Sequence, residues 1–220
     1  MEEPAFRARA IDDDARLLEE SYRLRYQVYC VERQFLDAAM YPDQRETDEF
    51  DDYSVHVGAV DAQGELAATA RVIRANPRGF PMLRHCAFYP EVQTFDSPQL
   101  VLVEASRVSI SRNYQRRRGS PLIPLVKAVM QAAKRLGATH LIGANEAAFH
   151  RWLVHYGLPY RIAGPVVDYY GPVVPCVMSL HELDEVVIGG RFPALDGFPI
   201  GWDPERWPGY YDTPAGVLSC

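Results

Sequence analysis

The chain has 220 residues and a 48% hydrophobic composition, enough to bury one substantial core and short for two independent domains. Its net charge of -6 argues against general nucleic-acid affinity, for which a whole domain is usually basic. No apolar run approaches the roughly 20 residues needed to cross a bilayer, and the acidic N-terminus lacks the basic and apolar regions of a signal peptide, so a cytoplasmic protein without a membrane span is expected.

Asp12, Asp13 and Asp14 offer a cap and favourable first-turn charge for a helix whose apolar positions are Leu17, Leu18, Leu24, Val28 and Val31. On it Arg25 and Tyr29 are four residues apart and share a face. An acidic, proline-containing loop follows over residues 37–53, long enough to suggest a role of its own. Residues 54–60 and 65–73 read as a hairpin that turns at 61–64. Residues 76–99 hold five prolines or glycines and read as a loop with short structured pieces. Then come a strand over 100–110, a helix over 121–136 ending at Gly137, a strand over 139–144 and a helix over 146–156 ending at Gly157. A weak strand over 160–167 and a firmer one over 172–180 close the series, and from Gly189 onward glycine, proline and aromatics predict an irregular tail. This order suits an α/β sheet with helices on its faces.

Charge is distributed unevenly. Residues 1–54 carry fifteen Asp or Glu against seven Arg, while residues 105–145 contain eight Arg or Lys and no acid. A basic stretch on an acidic chain points to a local anionic partner, although a solvated helix face accounts for Lys134 and Arg135 alone. The run Glu104-Ala105-Ser106-Arg107 interrupts an otherwise apolar strand. Burying an unpaired ion costs several kcal/mol, so both charges must find partners or face a cleft. Strand parity places Glu104 and Ser106 on one face and Arg107 on the other, unless a bulge intervenes. Arg25, Arg71 and Arg107 with Glu46, Asp48, Asp51 and Glu104 form a nearly neutral set, which is expected either to lock the first helix and acidic loop to the sheet or to build a site.

The cysteines, Cys30, Cys86, Cys176 and Cys220, form no CxxC pair, and His150 and His155 are five apart, so no metal site and no disulfide framework is signalled. Tyr169, Tyr170 and the tail aromatics are expected to pack the core or form an intersubunit contact rather than line a ligand tunnel, and the sequence does not decide.

These residues carry a resemblance. An Arg-x-x-x-Tyr helix, the Glu46-x-Asp48-x-x-Asp51 run, an Arg in the hairpin and Glu104-x-Ser106-Arg107 resemble the motif set of the acyl-homoserine-lactone synthases. Residues 24–33 and 48–56 resemble, more closely, the PEP-CTERM/exosortase system-associated acyltransferases, which share the GNAT superfamily with those synthases and with the N-acyl amino acid synthases. Phe35 stands where the lactone synthases carry tryptophan, which argues against S-adenosylmethionine as the acceptor.

The resemblance, which covers about residues 15–180, implies a GNAT-like domain with a mixed and mostly antiparallel sheet flanked by helices; the domain is expected over residues 1–188, and the tail over 189–220, read from its composition as packed on the domain, is not explained by the resemblance. It implies an N-acyltransferase that moves a fatty acyl group from acyl carrier protein, or acyl-CoA, to the amine of a small molecule such as an amino acid, with no permanently bound cofactor. Amide formation from a thioester needs a base, and Glu104 is the candidate, with Asp48 second. Arg25, Tyr29, Glu46, Asp51, Arg71, Ser106 and Arg107 would bind substrate or form the charged network. The turn Arg116-Arg117-Arg118-Gly119-Ser120-Pro121 resembles the pyrophosphate-binding turn of CoA-dependent relatives, but its proline removes an N–H donor. With Arg112 it is therefore expected to receive the pantetheine arm and acidic surface of acyl carrier protein. The rival readings are a CoA-dependent small-molecule N-acetyltransferase and a non-catalytic binder of acyl groups or their carrier.

Overall fold

The computed structural model describes residues 6–92, 99–114, 120–195 and 198. Strands β1 (Phe6–Ala10), β2 (Ser54–Asp61), β3 (Leu66–Ile73), β4 (Leu102–Ile110), β5 (His140–Glu146), β6 (Arg161–Ile162), β7 (Val167–Asp168) and β8 (Pro172–Ser179) make one sheet. Its order is β1-β2-β3-β4-β5-β8-β6, with β7 also paired to β8. The β4–β5 pair is parallel and the other pairs among the described residues are antiparallel.

Helix α1 (Ala15–Tyr26) begins at Asp14, whose side chain accepts a hydrogen bond from Leu17 N–H as a cap. Leu17, Ser21 and Arg25, four apart, form its buried stripe. The helix continues as a wider π turn over Gln27–Glu32, which carries Tyr29 and buried Cys30 toward the sheet. Helix α3 (Leu122–Arg135) lies on the opposite face. Its apolar stripe, Leu125, Val129 and Met130 among others, packs on Val57, Ala68, Ala70, Val72, Val103 and Leu141 to make the main core. Alternate residues of β3 therefore serve different layers: Ala68, Ala70 and Val72 enter this core, while Arg71 and Ile73 face the other side. Helix α4 (Ala147–His155) follows β5 directly.

Three elements differ from expectation. Edge strand β1 was hidden by its arginines: Phe6, Ala8 and Ala10 are buried in alternation while Arg7 points out. The short helix α2 (Pro81–His85), by contrast, is one of the short structured pieces expected inside the 76–99 loop, started by a proline that needs no N–H there. The last strand stops at Ser179, whose hydroxyl caps helix α5 (Leu180–Ile188) by accepting from Glu182 N–H. The weak strand over 160–167 is two short strands, β6 and β7. Beyond α5, residues 189–195 hold one short 3-10 turn, Pro193–Leu195, and Leu195 and Phe198 are buried in the main core; residues 196, 197 and 199–220 lie outside the described residues. Among the described residues no helix is long and apolar enough to cross a membrane.

Two features of β4 set the site. Arg71 pairs with Ser106 but Thr69 pairs with Ser109, so Arg107 and Val108 together oppose Ala70 in a bulge, and Arg107 has φ 55°. Parity consequently resets: Val103, Ala105, Val108 and Ile110 face the main core, while Glu104, Ser106 and Arg107 face α1. The face-to-face separation of Glu104 from Arg107 that uniform alternation requires is thereby removed. The second feature is a parting of strands. The β4–β5 ladder runs only from Leu102–His140 to Glu104–Ile142, although both strands continue beyond it. At the parting Gly143 lies against the Ala105 carbonyl, where an added Cβ would sit 2.9 Å from that oxygen. A Gly143→Val substitution is expected to cost about 1–3 kcal/mol by overpacking, lowering Tm by several degrees. Calorimetry showing an unchanged Tm would contradict this account of the parting.

Candidate active site

Three arginines from three elements converge on one acidic loop. Arg25 of α1, Arg71 of β3 and Arg107 of β4 are 1%, 1% and 8% exposed. Arg25 donates through Nε to Glu46 at 2.6 Å and through Nη1 and Nη2 to both oxygens of Asp51 at 2.7 and 3.1 Å. Arg71 grips both oxygens of Asp48 at 2.5 and 2.7 Å, reaches Asp51 at 2.8 Å and donates through Nε to Ser106 Oγ at 3.0 Å. Arg107 donates to Glu46 and Asp48 at 3.1 Å each. Each guanidinium thus meets two carboxylates of Glu46, Asp48 and Asp51, and three positive charges balance three negative ones inside the fold.

The loop is shaped to receive them. Glu46 N–H donates to the Tyr22 carbonyl of α1, and Asp48 and Phe50 N–H groups donate to the Asp51 and Asp48 carboxylates. Burial opposes ionisation of Asp51, but its bonds to His56 and Arg25 hold it far below the usual carboxylate range. Asp48 is also lowered: burial works against it, and Arg71 outweighs the burial. Burial likewise opposes the charge on Arg25 and Arg107, yet their carboxylate partners raise both.

His56, on β2, completes the arrangement. Its Nε2 stands 3.1 Å from Asp51 and its Nδ1 2.8 Å from Asp12. Burial would lower its pKa, but the two carboxylates raise it, favouring the imidazolium. In the sequence Asp12 stood out only as a helix-cap candidate and His56 only as the end of the 48–56 run, and neither was assigned to the site. A signal was present: His56 is a polar residue at an inward position of an apolar strand.

Glu104 stands apart. It is 2% exposed and has no arginine bond; its Oε2 accepts one hydrogen bond, from Met82 N–H at the start of α2, at 2.9 Å. Burial pushes its pKa up to about 7, against the weaker pull of the Met82 N–H and the charges of Arg71 and Arg107. It sits at the last ladder pair before β4 and β5 part.

A cleft of about 300 Å3 opens there. Its lining combines polar and aromatic residues, Glu104, Ser106, Arg107, Tyr29, Phe35 and Tyr170, with apolar ones, Val108, Leu122 and Phe149. A smaller cavity of about 30 Å3 continues beneath α3 among Leu125, Val129, Met130 and Leu153, sharing Ala105, Val108, Asn145 and Phe149 with the cleft. Past Glu104 the edge of β4 that faces β5 has no ladder partner, as a wedge for an extended ligand requires. At the mouth Arg33 pairs with Glu146 and stacks on Phe35 at 4.7 Å.

Of the residues singled out in the sequence, Arg25, Glu46, Asp48, Asp51, Arg71 and Arg107 are brought into one network, and Tyr29, Glu104, Ser106 and Arg107 line the cleft. Arg112 is exposed and pairs with Glu32 at 3.0 Å. Ser120 accepts from Leu122 N–H at the start of α3. Arg116, Arg117, Arg118 and Gly119 lie outside the described residues. Neither Asn145 nor Phe149 was singled out, because nothing in a helical or strand pattern marks a residue that borders a gap between two strands.

Residues 24–124 match the family described as the acetyltransferase (GNAT) domain. The acyl-homoserine-lactone synthase of Ralstonia nicotianae is 33% identical over 154 residues, covering 66% of this chain and 73% of that protein. Among solved structures, FeeM, an N-acyl amino acid synthase from uncultured soil microbes, is similar with a TM-score of 0.63 at 16% identity, covering 83% of this chain and 95% of its own. BjaI, a CoA-dependent acyl-homoserine lactone synthase solved with SAM and isopentyl-CoA, gives 0.62 at 18% identity over 90% of this chain and 92% of its own. At such identities the two structures establish the fold, and the Ralstonia relative establishes the kinship: the chain belongs to the acyl-homoserine-lactone synthase family of GNAT-fold acyltransferases, and it is an acyltransferase.

Proposed function

We propose that this chain transfers an acyl group from a thioester on acyl carrier protein to the amine of a small molecule. The observation that carries the reading is Glu104: a buried carboxyl, poised near neutrality, at the point where two strands part beside an apolar cavity.

The cleft supports a division of labour. The acyl chain enters the apolar side toward Val129 and Met130, and the amine occupies the side lined by Tyr29, Ser106 and Arg107. Glu104, as carboxylate, takes a proton from the incoming ammonium directly or through a water. The neutral amine attacks the thioester carbonyl, forming a C–N bond and a tetrahedral oxyanion. The oxyanion collapses, the C–S bond breaks, the thiolate leaves with the proton that the newly bonded nitrogen gives up, and Glu104 returns its own proton to solvent. Ser106 Oγ accepts from Arg71, so its own hydrogen is available to an oxygen in the cleft. No covalent enzyme intermediate is invoked. Asp48, the second candidate for the base, is held by Arg71 and Arg107 as a permanent anion and is a poorer proton acceptor than Glu104.

Arg112 and the neighbouring basic run are assigned to the acidic surface of the carrier. The purified chain, incubated with long-chain acyl carrier protein and an amino-acid mixture, is expected to give N-acyl products by mass spectrometry. Release of the chain only as free fatty acid would sink the reading, and equal rates with acyl-CoA would reassign the donor.

Glu104→Gln should lower kcat/KM by about 10²–10⁴-fold. The wild-type profile should rise with pH through about 7 as Glu104 ionises, and the variant should lose that limb.

Stability follows the same group with opposite sense. The folded chain holds the Glu104 proton up to about pH 7, whereas an ordinary glutamate releases it near 4.5. Between those values the folded state binds more protons, so this contribution is present below about pH 4.5 and is lost as pH rises to 7. The stability of Glu104→Gln relative to wild type should therefore increase across that window, by on the order of 3 kcal/mol, in denaturant titrations at pH 5 and pH 8. A pH-independent difference would place the Glu104 pKa near its ordinary value.

Phe149→Ala, which removes a ring shared by cleft and cavity, should shift the preferred acyl chain to greater length in a panel of thioesters. An unchanged preference would move the acyl path elsewhere.

A further inference from the structure

His56 is a buried titratable group that the acyl-transfer steps do not use. It lies on β2, 4% exposed, directly across the ladder from Arg71. Both of its ring nitrogens face carboxylates: Nδ1 stands 2.8 Å from Asp12 Oδ1 and Nε2 3.1 Å from Asp51 Oδ1. An ionised carboxylate only accepts, and a neutral imidazole has a single N–H, so a neutral ring would turn a lone pair on one of the two acids. Two donors require the imidazolium. The His56 backbone N–H also donates to both Asp12 oxygens at 3.1 Å, and its carbonyl accepts from Ile11 N–H at 2.9 Å, so the main chain fixes the ring between its partners. Helix α1 adds Tyr22, perpendicular to the ring with centroids 5.5 Å apart, and Arg25 and Arg45 lie over that tyrosine. Burial works against a positive ring, and the bonds to Asp12 and Asp51 outweigh it.

The position of the ring gives its charge a route to the cleft. Asp51 Oδ1 accepts from three donors: Arg25 Nη1 at 2.7 Å, Arg71 Nη1 at 2.8 Å and His56 Nε2. Arg71 in turn donates through Nε to Ser106 Oγ, which lines the cleft beside Glu104. With the imidazolium in place, the charges of Arg25, Arg71, Arg107 and His56 match those of Glu46, Asp48, Asp51 and Asp12. Loss of the ring proton leaves one negative charge in excess. Arg71, which shares the same Asp51 oxygen, is then drawn toward that acid and away from Ser106.

The geometry points to His56 as a positioning residue for the reaction: its imidazolium holds Asp51 so that Arg71 stays on Ser106, and acyl transfer falls when the ring gives up its proton in alkaline solution. The sense is opposite to that of Glu104. Glu104 must lose a proton before it can act, His56 must keep one, and together they give a bell-shaped pH dependence. His56 does so without lining the cleft. This inference rests on the acyl-transfer reading above.

The test is the pH dependence of kcat/KM for the acyl carrier protein thioester, with the amino-acid mixture as acceptor, from about pH 6 to about pH 10. Wild type, Asp12→Asn and His56→Gln are compared, and carbon-13 NMR of the full chain follows the His56 ring itself. The Asp12 side chain is 41% exposed, and asparagine keeps an oxygen for the ring while removing the charge. The wild-type rate should fall on the alkaline side at the midpoint of the His56 titration. In Asp12→Asn both the fall and the ring titration should move to lower pH by about one unit, with the rising limb of Glu104 left in place. His56→Gln, which cannot become a cation, should lose the alkaline fall, with its best kcat/KM lowered about 10–10²-fold. Should His56→Gln not fold, Asp12→Asn and the ring titration decide. A wild type with no alkaline fall, or a fall that stays in place in Asp12→Asn or persists in His56→Gln, would overturn the inference while leaving acyl transfer intact. A wild type that acylates none of the amines would overturn the acyl-transfer reading itself, and this inference with it.

Discussion

The structure is organised around a constraint of charge balance: three arginines are carried into a dry interior, and each must be neutralised there. Arg25 and Arg71 are 1% exposed, and isolated guanidiniums at such depth would be prohibitive. Glu46, Asp48 and Asp51 supply an equal number of carboxylates, all from one loop, and two arginines bind in two-pronged fashion. That requirement explains why an irregular acidic loop has a fixed shape. Its backbone N–H groups turn onto the Asp48 and Asp51 carboxylates, which are thereby oriented toward the arginines. It also explains why α1, β3 and β4, distant in sequence, have one relative placement: shifting any of them would strand a charge.

Such a network is weak support for stability, because well-packed apolar residues often serve as well or better. Its consequence is geometric. Pulling Arg107 toward Glu46 and Asp48 goes with the β4 bulge and the positive φ of Arg107, which bring Glu104, Ser106 and Arg107 to one face. The bulge lies just beyond the point where β4 and β5 separate, so the irregularity that satisfies the arginine also shapes one wall of the cleft.

Much of this was legible in the sequence for a physical reason. A charge inside an apolar strand is costly, so Glu104 and Arg107 announced partners, and Arg25, Arg71 and the 46–51 loop offered them. Strands β2 to β5 and helices α1, α3 and α4 follow hydrophobic periodicity and caps that act locally. What escaped was decided non-locally. The side on which Arg107 points depends on a bulge that tertiary charge pairing stabilises, and β1 is an edge strand whose outward arginines masked its alternation. Helix α5 was missed because the apolar residues of β8 run straight into its own, and only the Ser179 cap separates them. The parting of β4 from β5 has no residue signature beyond Gly143, whose meaning appears only once the Ala105 carbonyl is seen against it.

The same balance governs the chemistry. Glu104 is near neutrality because burial raises it while Arg71 and Arg107 lower it and Asp48 raises it again. If the arginines lacked their carboxylates, two bare positive charges would act on Glu104 through a poorly screening interior and hold it as a firm anion, too weak a base to relieve an ammonium of its proton. If instead an arginine were missing, the orphaned carboxylates would raise Glu104 further and keep it protonated at neutral pH. A nearly neutral network leaves burial as the leading influence, and the weaker opposing pull of the Met82 N–H and the two arginines leaves the glutamate at about 7, in the range in which a general base works. The arginines and acids that fasten the fold therefore act on the reaction without touching substrate through every member: by cancelling one another, they allow Glu104 to have the proton affinity that its position confers.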